Sequence, residues 1–361
     1  MTFVARAALR LPCIVLAAIC SATASAGAGQ GTTQPATPAA SRSDEPLLER
    51  LSASKASEYL DTCRHVAENR CFACHGSYAY LLAAPIVSFR SPAHRETRSA
   101  MERSIETLPA TEPNALNASD MRPVEAVMTA AVLAQNDAAT TARLHPLTRK
   151  ALDRMWEFQQ ADGGWKWAKL KAPPSEVDDH FGVTMAAIGA GIAPERYALT
   201  PKAQEGLKKV RGYLRDHPPP TMHNRAMLML AAAHVEGLMT DEQRAQVKTD
   251  LFALQQHDGG WAMASLGNWK RSDGQPQDLI SSDGYGTGFA TYVLRSAAGI
   301  PAEDPRLRRA VAWIKTHQRA SGCWFTRSPR KNDEFSTYAG TVYVVLALFS
   351  CGEIPSSVGS P

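Results

Sequence analysis

Two kinds of apolar pattern alternate along the second half of the chain and predict paired helices. The first kind has apolar residues at helical spacing with charged residues between them, which is typical of a helix that buries one face. The second kind is poorer in charge and richer in Ala, Val, Leu and Gly, which indicates a more buried helix. The runs of the first kind are 151–158, 247–254 and 311–317, and those of the second kind are 181–192, 285–300 and 336–351. The pattern therefore predicts repeated hairpins, each with an outer and an inner helix.

One short motif ends the first helix of each hairpin, and it occurs three times. It reads QQADGGW from Gln159, QQHDGGW from Gln255 and QRASGCW from Gln318, so each copy fits Gln-x3-Gly-x-Trp. Glycine can end a helix in the left-handed conformation, the glutamine amide can bond an exposed helix end, and tryptophan can cover the junction. A motif that recurs after tens of residues predicts a repeat architecture.

Two further parts of the chain fit the same hairpin plan less fully. Residues 203–237 have a hairpin pattern that lacks the glutamine and the tryptophan, and His217 with the three prolines after it makes the turn. The predicted helices of the first half are an outer helix at 52–66, a small inner helix at 78–87 that ends near Pro85, and an inner helix at 121–134.

The three corner motifs resemble the QW repeats of the squalene-hopene cyclase and protein prenyltransferase β-subunit superfamily. The resemblance covers residues 151–352 and implies an all-α fold, an α/α toroid in which two concentric rings of helices close on themselves. The run at 321–328, Ser-Gly-Cys-Trp-Phe-Thr-Arg-Ser, together with a Cys-x-x-Cys-His motif near the start, is similar to a group of secreted bacterial toroid proteins. The repeat indicates the fold rather than the function, because one fold hosts many activities.

The start of the chain predicts export. Residues 1–26 have the features of a secretory signal peptide, with Arg6 and Arg10, an apolar stretch and a small-residue cleavage site near Ala26. The rest of the chain contains no second apolar stretch that could span a membrane, so we expect a periplasmic or secreted protein without a transmembrane span. The expected segments are a disordered linker at 27–46, helical hairpins with the Cys-x-x-Cys-His motif at 47–140, the toroid repeats at 141–352 and a disordered tail at 353–361.

Composition and charge narrow the range of partners. The formal net charge is +4 over 361 residues, and no stripe of basic residues with interleaved aromatics occurs, so nucleic acid is not an expected partner. The hydrophobic content of 44% allows a sizeable core. With an aromatic content of 7%, we do not expect the cavity lining rich in aromatic rings that stabilises carbocations in a terpene cyclase. The expected partners are a redox partner or a small apolar ligand in the central cavity.

The sharpest chemical motif is Cys71-Phe72-Ala73-Cys74-His75, which takes the place of the corner motif in the first hairpin. Two thiols at this spacing can add to the two vinyl groups of one haem, while the adjacent imidazole binds the iron as proximal ligand. The motif resembles the haem-binding motif of c-type cytochromes, which implies haem c held by Cys71, Cys74 and His75, and electron transfer or haem redox chemistry. The candidate sixth ligands of the iron are His94, Met101, Met121 and Met128.

Two other interpretations of these thiols stay open. Cys63 and His65 together with Cys71 and Cys74 match a four-ligand zinc site. Cys71 and Cys74 can also form a disulfide with each other or remain free thiols.

An acidic motif precedes one of the predicted inner helices. Glu176-Val177-Asp178-Asp179 resembles the DxDD acid motif of class II terpene cyclases. The resemblance implies that Asp178 protonates an alkene or epoxide, with Glu176 and Asp179 supplying the like charge that keeps it protonated. The opposing interpretation is helix capping, because Asp283 and Asp333 stand at the starts of other predicted inner helices.

A protein prenyltransferase is not expected. That family binds zinc through Asp, Cys and His, but here Asp283 is followed by Tyr285 where Cys would stand, and Tyr338 takes the place of His. The remaining hypothesis is a binding protein whose central cavity holds an apolar or glycan ligand without chemistry. Three histidines lie on or beside predicted inner helices and either line that cavity or pack in the core: His180, His223 and His234.

Overall fold

A computed structural model describes residues 42–63, 76–107, 121–169, 173–175, 177–330 and 333–359, and twelve α-helices hold more than half of these residues. They alternate along the chain between outer and inner positions. In pairs, they are α1 (Ala53–Cys63) and α2 (Gly76–Val87), α3 (Pro92–Thr107) and α4 (Arg122–Thr140), α5 (Pro146–Glu157) and α6 (Asp179–Ile192), α7 (Pro201–Asp216) and α8 (Met222–Ala232), α9 (Asp241–Ala253) and α10 (Gly284–Ser296), and α11 (Pro305–Thr316) and α12 (Asp333–Ser350).

The even-numbered helices form a closed inner ring. Each packs against the next in chain order from α2 to α12, and α12 packs back against α2. Each odd-numbered helix lies outside, against the inner helix that precedes it around the ring. The predicted all-α fold, an α/α toroid with two concentric rings, is therefore confirmed.

The two rings differ in how much of each helix is buried. In the inner helix α6 every residue from His180 to Ala190 is buried, whereas the outer helix α7 buries one stripe and exposes its charged residues. This is the expected difference between a helix packed on all sides and one that faces solvent. In the part of the chain that the structure describes, no helix combines the length and the apolar character needed to cross a bilayer.

The three Gln-x3-Gly-x-Trp motifs form three nearly identical corners between outer and inner helices. The indole nitrogens of Trp165, Trp261 and Trp324 donate to the carbonyl oxygens of Met155, Leu251 and Ile314, at 2.9, 2.7 and 2.7 Å. The amide nitrogens of Gln159, Gln255 and Gln318 donate to the carbonyl oxygens of Gly206, Arg306 and Ser52, at 3.0, 2.9 and 2.9 Å. Each tryptophan thus caps its own outer helix, and each glutamine ties that corner to another outer helix.

The first glycine of each corner cannot be replaced without strain. Gly163, Gly259 and Gly322 have φ values of +96°, +96° and +99°, in the region that favours glycine. A Cβ atom at Gly322 would lie 2.1 Å from the carbonyl oxygen of Lys55 on α1, and one at Gly163 would lie 2.2 Å from that of Lys209 on α7. The glycine therefore permits both the turn and the close approach of a neighbouring helix.

The third corner closes the ring. Besides its bond to the Ser52 carbonyl, Gln318 accepts a hydrogen bond of 2.7 Å from the backbone nitrogen of Ser52 at the start of α1. The preceding residues extend the contact, since Leu47 forms a backbone bridge with Arg319 and the Glu45 carboxylate accepts from the Ser321 hydroxyl at 3.1 Å. Glu45 and its neighbour Pro46, which we expected in a disordered linker, are thus held against the last corner.

The end of the chain also packs on the toroid. The backbone nitrogen of Ser357 donates to the carbonyl oxygen of Ile86 at 2.7 Å, and the Ser356 hydroxyl donates to that of Pro85 at 3.2 Å. Ile354 is buried. The segment 353–359, expected as part of a disordered tail, therefore covers the end of α2. Pro85 itself lies inside α2, which continues to Val87.

Helix α3 was not predicted from the sequence, and a buried polar cluster fixes it in the outer ring. Its Arg98 donates to Asp137 on α4 at 2.6 Å, to Asn136 at 2.7 Å and to Glu102 at 2.9 Å. The side chain of Asp137 is only 2% exposed. Asn136 in turn donates to the Leu81 carbonyl at 3.0 Å, which links α2 to the same cluster.

Candidate functional site

The inner ring encloses a central cavity of about 860 Å³. Its lining extends along the inner helices, for example from Tyr78 to Ile86 on α2 and from Met121 before α4 to Ala139 near the end of that helix. The cavity therefore runs through the ring from the starts of the inner helices to their ends. A volume of this size is in the upper part of the range of about 300–1,000 Å³ that small-molecule sites occupy.

The lining is mainly apolar and includes eight aromatic and five methionine side chains besides aliphatic ones. The lining aromatic residues on α2, α6, α10 and α12 are Tyr78, Phe181, Tyr285, Tyr292, Phe335, Tyr343 and Phe349. The expectation of a lining poor in aromatic rings was wrong. The chain contains few aromatic residues, but the fold concentrates them on the cavity face of the inner helices.

Few charged groups reach the cavity. Among the lining residues in the described part of the chain, Glu125 is the one carboxyl group, and Arg330 and His234 are the basic groups. Burial raises the pKa of Glu125 and lowers the pKa of His234, so each is shifted towards its neutral form. Sequence reasoning missed Glu125, although its spacing from Met121 and Met128 places all three on one face of α4.

The acidic motif forms a helix cap at the start of α6. Asp178 accepts a hydrogen bond of 3.2 Å from the backbone nitrogen of Phe181 and one of 3.1 Å from the side-chain amide of Asn224 on α8. Burial raises the pKa of Asp178, while these hydrogen bonds act in the opposite direction. The Asp179 carboxylate forms an ion pair with the Lys169 side chain, with 3.0 Å between Oδ2 and Nζ. Glu176 lies outside the described residues.

Other inner helices are capped in the same way. Thr221 accepts from the backbone nitrogen of Asn224 at the start of α8, and Asp283 accepts from that of Gly286 at the start of α10. Asp283 also accepts from the backbone nitrogen of Met263 at 2.7 Å, and burial raises its pKa to about 7. Capping is thus the demonstrated structural role of Asp178 and Asp283. A catalytic role of the acidic motif stays a prediction, and the described cavity lining includes Phe181 but neither Asp178 nor Asp283.

The three histidines occupy different positions. His234 lines the cavity. His180 is buried, and burial lowers its pKa to about 4, while neither ring nitrogen has a hydrogen-bond partner in the described part of the molecule. His223 is fully buried behind the lining, and its Nε2 lies 2.9 Å from the hydroxyl oxygen of Tyr285.

The predicted haem-binding residues Cys71, Cys74 and His75 lie outside the described residues, as does His65 of the zinc alternative. The sequence after His75 continues directly into α2, whose Tyr78 lines the cavity. Cys63, the remaining residue of the zinc alternative, is a buried free thiol at the end of α1. The described residues contain no group of three or more His, Cys, Asp or Glu side chains placed to hold a metal ion.

The four candidate sixth ligands are separated by the fold. Met121 and Met128 line the cavity. His94 is buried and accepts a hydrogen bond of 3.2 Å from the backbone nitrogen of Arg90, and Met101 is buried in α3 with 1% of its surface exposed. Neither of these two belongs to the described cavity lining.

Solved structures of similar fold come from two kinds of enzyme. The apo structure of the type II terpene cyclase MstE from Scytonema matches with a TM-score of 0.50 at 12% identity, over 83% of this chain and 98% of that chain. The GH76A α-1,6-mannanase from Salegentibacter sp. HEL1_6 matches with a TM-score of 0.49 at 11% identity, over 83% of this chain and 100% of that chain. At 12% identity the likeness to the cyclase shows the toroid fold alone. No protein-family model and no curated protein sequence matches the chain.

Proposed function

We propose that the protein binds an apolar molecule of the isoprenoid or lipid class in the central cavity of the toroid. The observation that carries this proposal is the volume of about 860 Å³ with its aromatic and methionine lining. Transfer of apolar surface from water into such a cavity is favourable by about 25 cal/mol per Å². A filled cavity also regains the dispersion contacts that an empty apolar space lacks.

A glycan fits the lining less well than an apolar molecule. Sugar hydroxyls lose hydrogen bonds to water when they are buried, and each needs a partner in the site. The described lining is mostly apolar, and its polar groups, among them Glu125, Gln135, Arg330 and several serine and tyrosine hydroxyls, are a minority. The apolar ligand is therefore the better match to this chemistry.

Membership of the squalene-hopene cyclase and prenyltransferase superfamily, proposed from the corner motifs, makes isoprenoid cyclisation the enzymatic alternative. That chemistry needs a protonated acid in contact with an alkene or epoxide in the cavity. Asp178 is engaged as a helix cap, and Glu125 is the one carboxyl of the described lining. Glu125, whose pKa burial raises, would be the acid of that alternative. We infer ligand binding in the cavity, which both functions require.

The proposed cavity ligand can be tested with a blocking variant. Ala339 lines the cavity on α12. We expect Ala339→Trp to weaken the binding of C15–C30 isoprenoid alcohols by about tenfold or more, because the indole takes space that ligand carbons would fill at about 0.8 kcal/mol per CH₂. Binding is measured by displacement of the fluorescent fatty acid cis-parinaric acid, and extracts of the incubation are analysed for cyclised products.

The matched control is Ala245→Trp, which adds the same indole at an exposed position of the outer helix α9. It should bind like the wild type. Equal binding by both variants, or no binding by the wild-type protein, would rule out the cavity as the binding site. Conversion of the alcohols to cyclised products would show that the protein is a cyclase and not a binding protein without chemistry.

We infer a second property, a covalently bound haem c, from the sequence Cys71-Phe72-Ala73-Cys74-His75 in a chain with a predicted export signal. Each thiol would add its sulfur and hydrogen across one vinyl group, and His75 would bind the iron. When bound, haem supplies one-electron redox chemistry. Of the four candidate sixth ligands, Met121 and Met128 are the two that line the cavity. A zinc site or a disulfide at the same residues does not absorb visible light, so both alternatives predict a colourless protein.

A visible spectrum distinguishes these alternatives. The full chain, exported in cells that carry the haem-attachment machinery, should be red, with a Soret band that survives acid–acetone extraction. Cys74→Ala should lower the retained haem strongly, because the thioether to that residue is lost. Cys323→Ala, which removes a buried thiol outside the Cys-x-x-Cys-His motif, should leave the band unchanged. A colourless wild-type protein with bound zinc or a Cys71–Cys74 disulfide would exclude haem.

A further inference from the structure

One face of α4 forms a continuous strip of the cavity wall, and a carboxyl group interrupts its apolar surface. The residues of this face recur at alternating steps of four and three, which is the spacing of neighbours on one side of a helix. They are Met121, Glu125, Met128, Val132, Gln135 and Ala139, and all of them line the cavity. Glu125 therefore belongs to the cavity face of α4 through its position in the helix.

Glu125 differs from the buried carboxyl groups described above because it has no hydrogen bond and no ion pair in the described part of the chain. Asp137 pairs with Arg98, and Asp178 and Asp283 cap helices. Glu125 stands in the first turn of α4, but no side chain caps the start of that helix by a hydrogen bond. Burial is the cause that raises the pKa of Glu125, as expected for a carboxyl group without a partner.

The space beside Glu125 that can hold a ligand is the central cavity. On its other side the residue borders a gap of about 10 Å³ between α3, α4 and α5, which is at the lower limit for one water molecule. The cavity offers about 860 Å³. A carboxyl group in apolar surroundings costs free energy until it is hydrogen-bonded. A ligand that brings a hydrogen-bond donor to this position removes that cost.

We propose that Glu125 is a specificity-determining residue that accepts a hydrogen bond from the head group of the cavity ligand. The ligands are long apolar molecules that end in a donor, either an ammonium or a hydroxyl group. Their apolar part lies along the rest of the same face of α4, which extends about 21 Å from Glu125 to Ala139 at about 1.5 Å per residue. The inference rests on the proposed binding function and names the ligand class more closely.

Three probes with the same C15 chain test this role: farnesylamine, farnesol and farnesyl methyl ether. They end in a charged donor, a neutral donor and no donor, and equilibrium dialysis against the full chain measures the affinity for each. Glu125→Gln keeps the shape and an acceptor oxygen but not the charge. It should lower the affinity for farnesylamine relative to the ether by about tenfold or more, the effect of one hydrogen bond to a charged group. Glu125→Leu should also lower the affinity for farnesol relative to the ether by roughly fivefold, because no acceptor remains.

Gln135→Leu is the matched control, because it removes a polar side chain from the same face of α4. The Gln135 amide donates to the Ala131 carbonyl of its own helix at 3.1 Å, so its loss should leave both affinity ratios as in the wild type. Circular dichroism checks that each variant keeps the wild-type unfolding temperature.

The ratios separate this inference from the function on which it rests. Affinity ratios that stay at the wild-type values in both Glu125 variants, or an equal loss of all three probes, would overturn the role of Glu125 while leaving the cavity as a binding site. Binding of none of the three probes to the wild-type protein would overturn the proposed function and this inference together.

Discussion

Trp261→Ala is expected to lower the free energy of unfolding by about 3–5 kcal/mol, the usual cost of removing a large buried aromatic side chain. Trp261 has no exposed surface, and its indole nitrogen donates 2.7 Å to the Leu251 carbonyl near the end of α9. The substitution opens a cavity in the corner and removes the indole donor from that carbonyl, which keeps a hydrogen bond of 3.1 Å from the backbone nitrogen of Leu254. Urea denaturation followed by circular dichroism measures the loss.

Two further variants show whether the corner causes this loss. Trp261→Phe keeps most of the ring but lacks the N–H donor, so it should cost less, about 1–2 kcal/mol. Trp165→Ala should cost about as much as Trp261→Ala, because its indole makes the equivalent bond to Met155 at 2.9 Å. An unfolding midpoint of Trp261→Ala equal to that of the wild type would mean that the corner does not stabilise the ring.

The hairpins with corner motifs were predictable because their signals are local. The glycine that takes the left-handed conformation, the glutamine four residues before it and the tryptophan two residues after it lie within seven consecutive residues. In the third corner these residues are Gln318, Gly322 and Trp324, and the structure gives each of them the predicted role. The outer and inner helices followed from their different apolar patterns.

Helix α3 escaped prediction because the face it buries carries three polar residues and two alanines beside its two large apolar residues, Met101 and Ile105. His94, Thr97, Met101 and Ser104 are each no more than 5% exposed and recur at helical spacing. Only Met101 among these four is apolar, so hydrophobic periodicity gives little signal. Long-range bonds from Arg98 to α4 take the place of an apolar stripe, and such bonds cannot be read from the sequence of one segment.

The cavity lining could not be derived from the sequence for a different physical reason. An inner helix is apolar on all sides, so its pattern does not show which face points to the centre. On α12, Tyr338 donates its hydroxyl to the Leu60 carbonyl on α1 at 3.0 Å, whereas Tyr343 lines the cavity. Both residues are tyrosines on the same helix, and only their positions in the closed ring determine which of them reaches the cavity.

Arg98→Met is the second substitution with a large expected effect, a loss of about 3–5 kcal/mol in the free energy of unfolding. It leaves the Asp137 carboxylate, 2% exposed, without its charged partner at 2.6 Å, and an unpaired buried charge is more costly than the intact pair. The same change removes the bonds from Arg98 to Asn136 and Glu102, so α3 loses its polar attachment to α4. Urea denaturation of the purified chain measures the effect.

A double variant separates the destabilisation caused by the unpaired charge from that caused by the lost side-chain contacts. Arg98→Met combined with Asp137→Asn should unfold at higher urea than Arg98→Met alone, because the amide removes the uncompensated charge and its oxygen can still accept from the His145 backbone nitrogen, 2.8 Å away. Lys209→Met, which breaks the exposed pair with Glu205 on α7, should cost only about 0.3–0.5 kcal/mol. If Arg98→Met were as mild as Lys209→Met, the buried pair would not be what holds α3 in the ring.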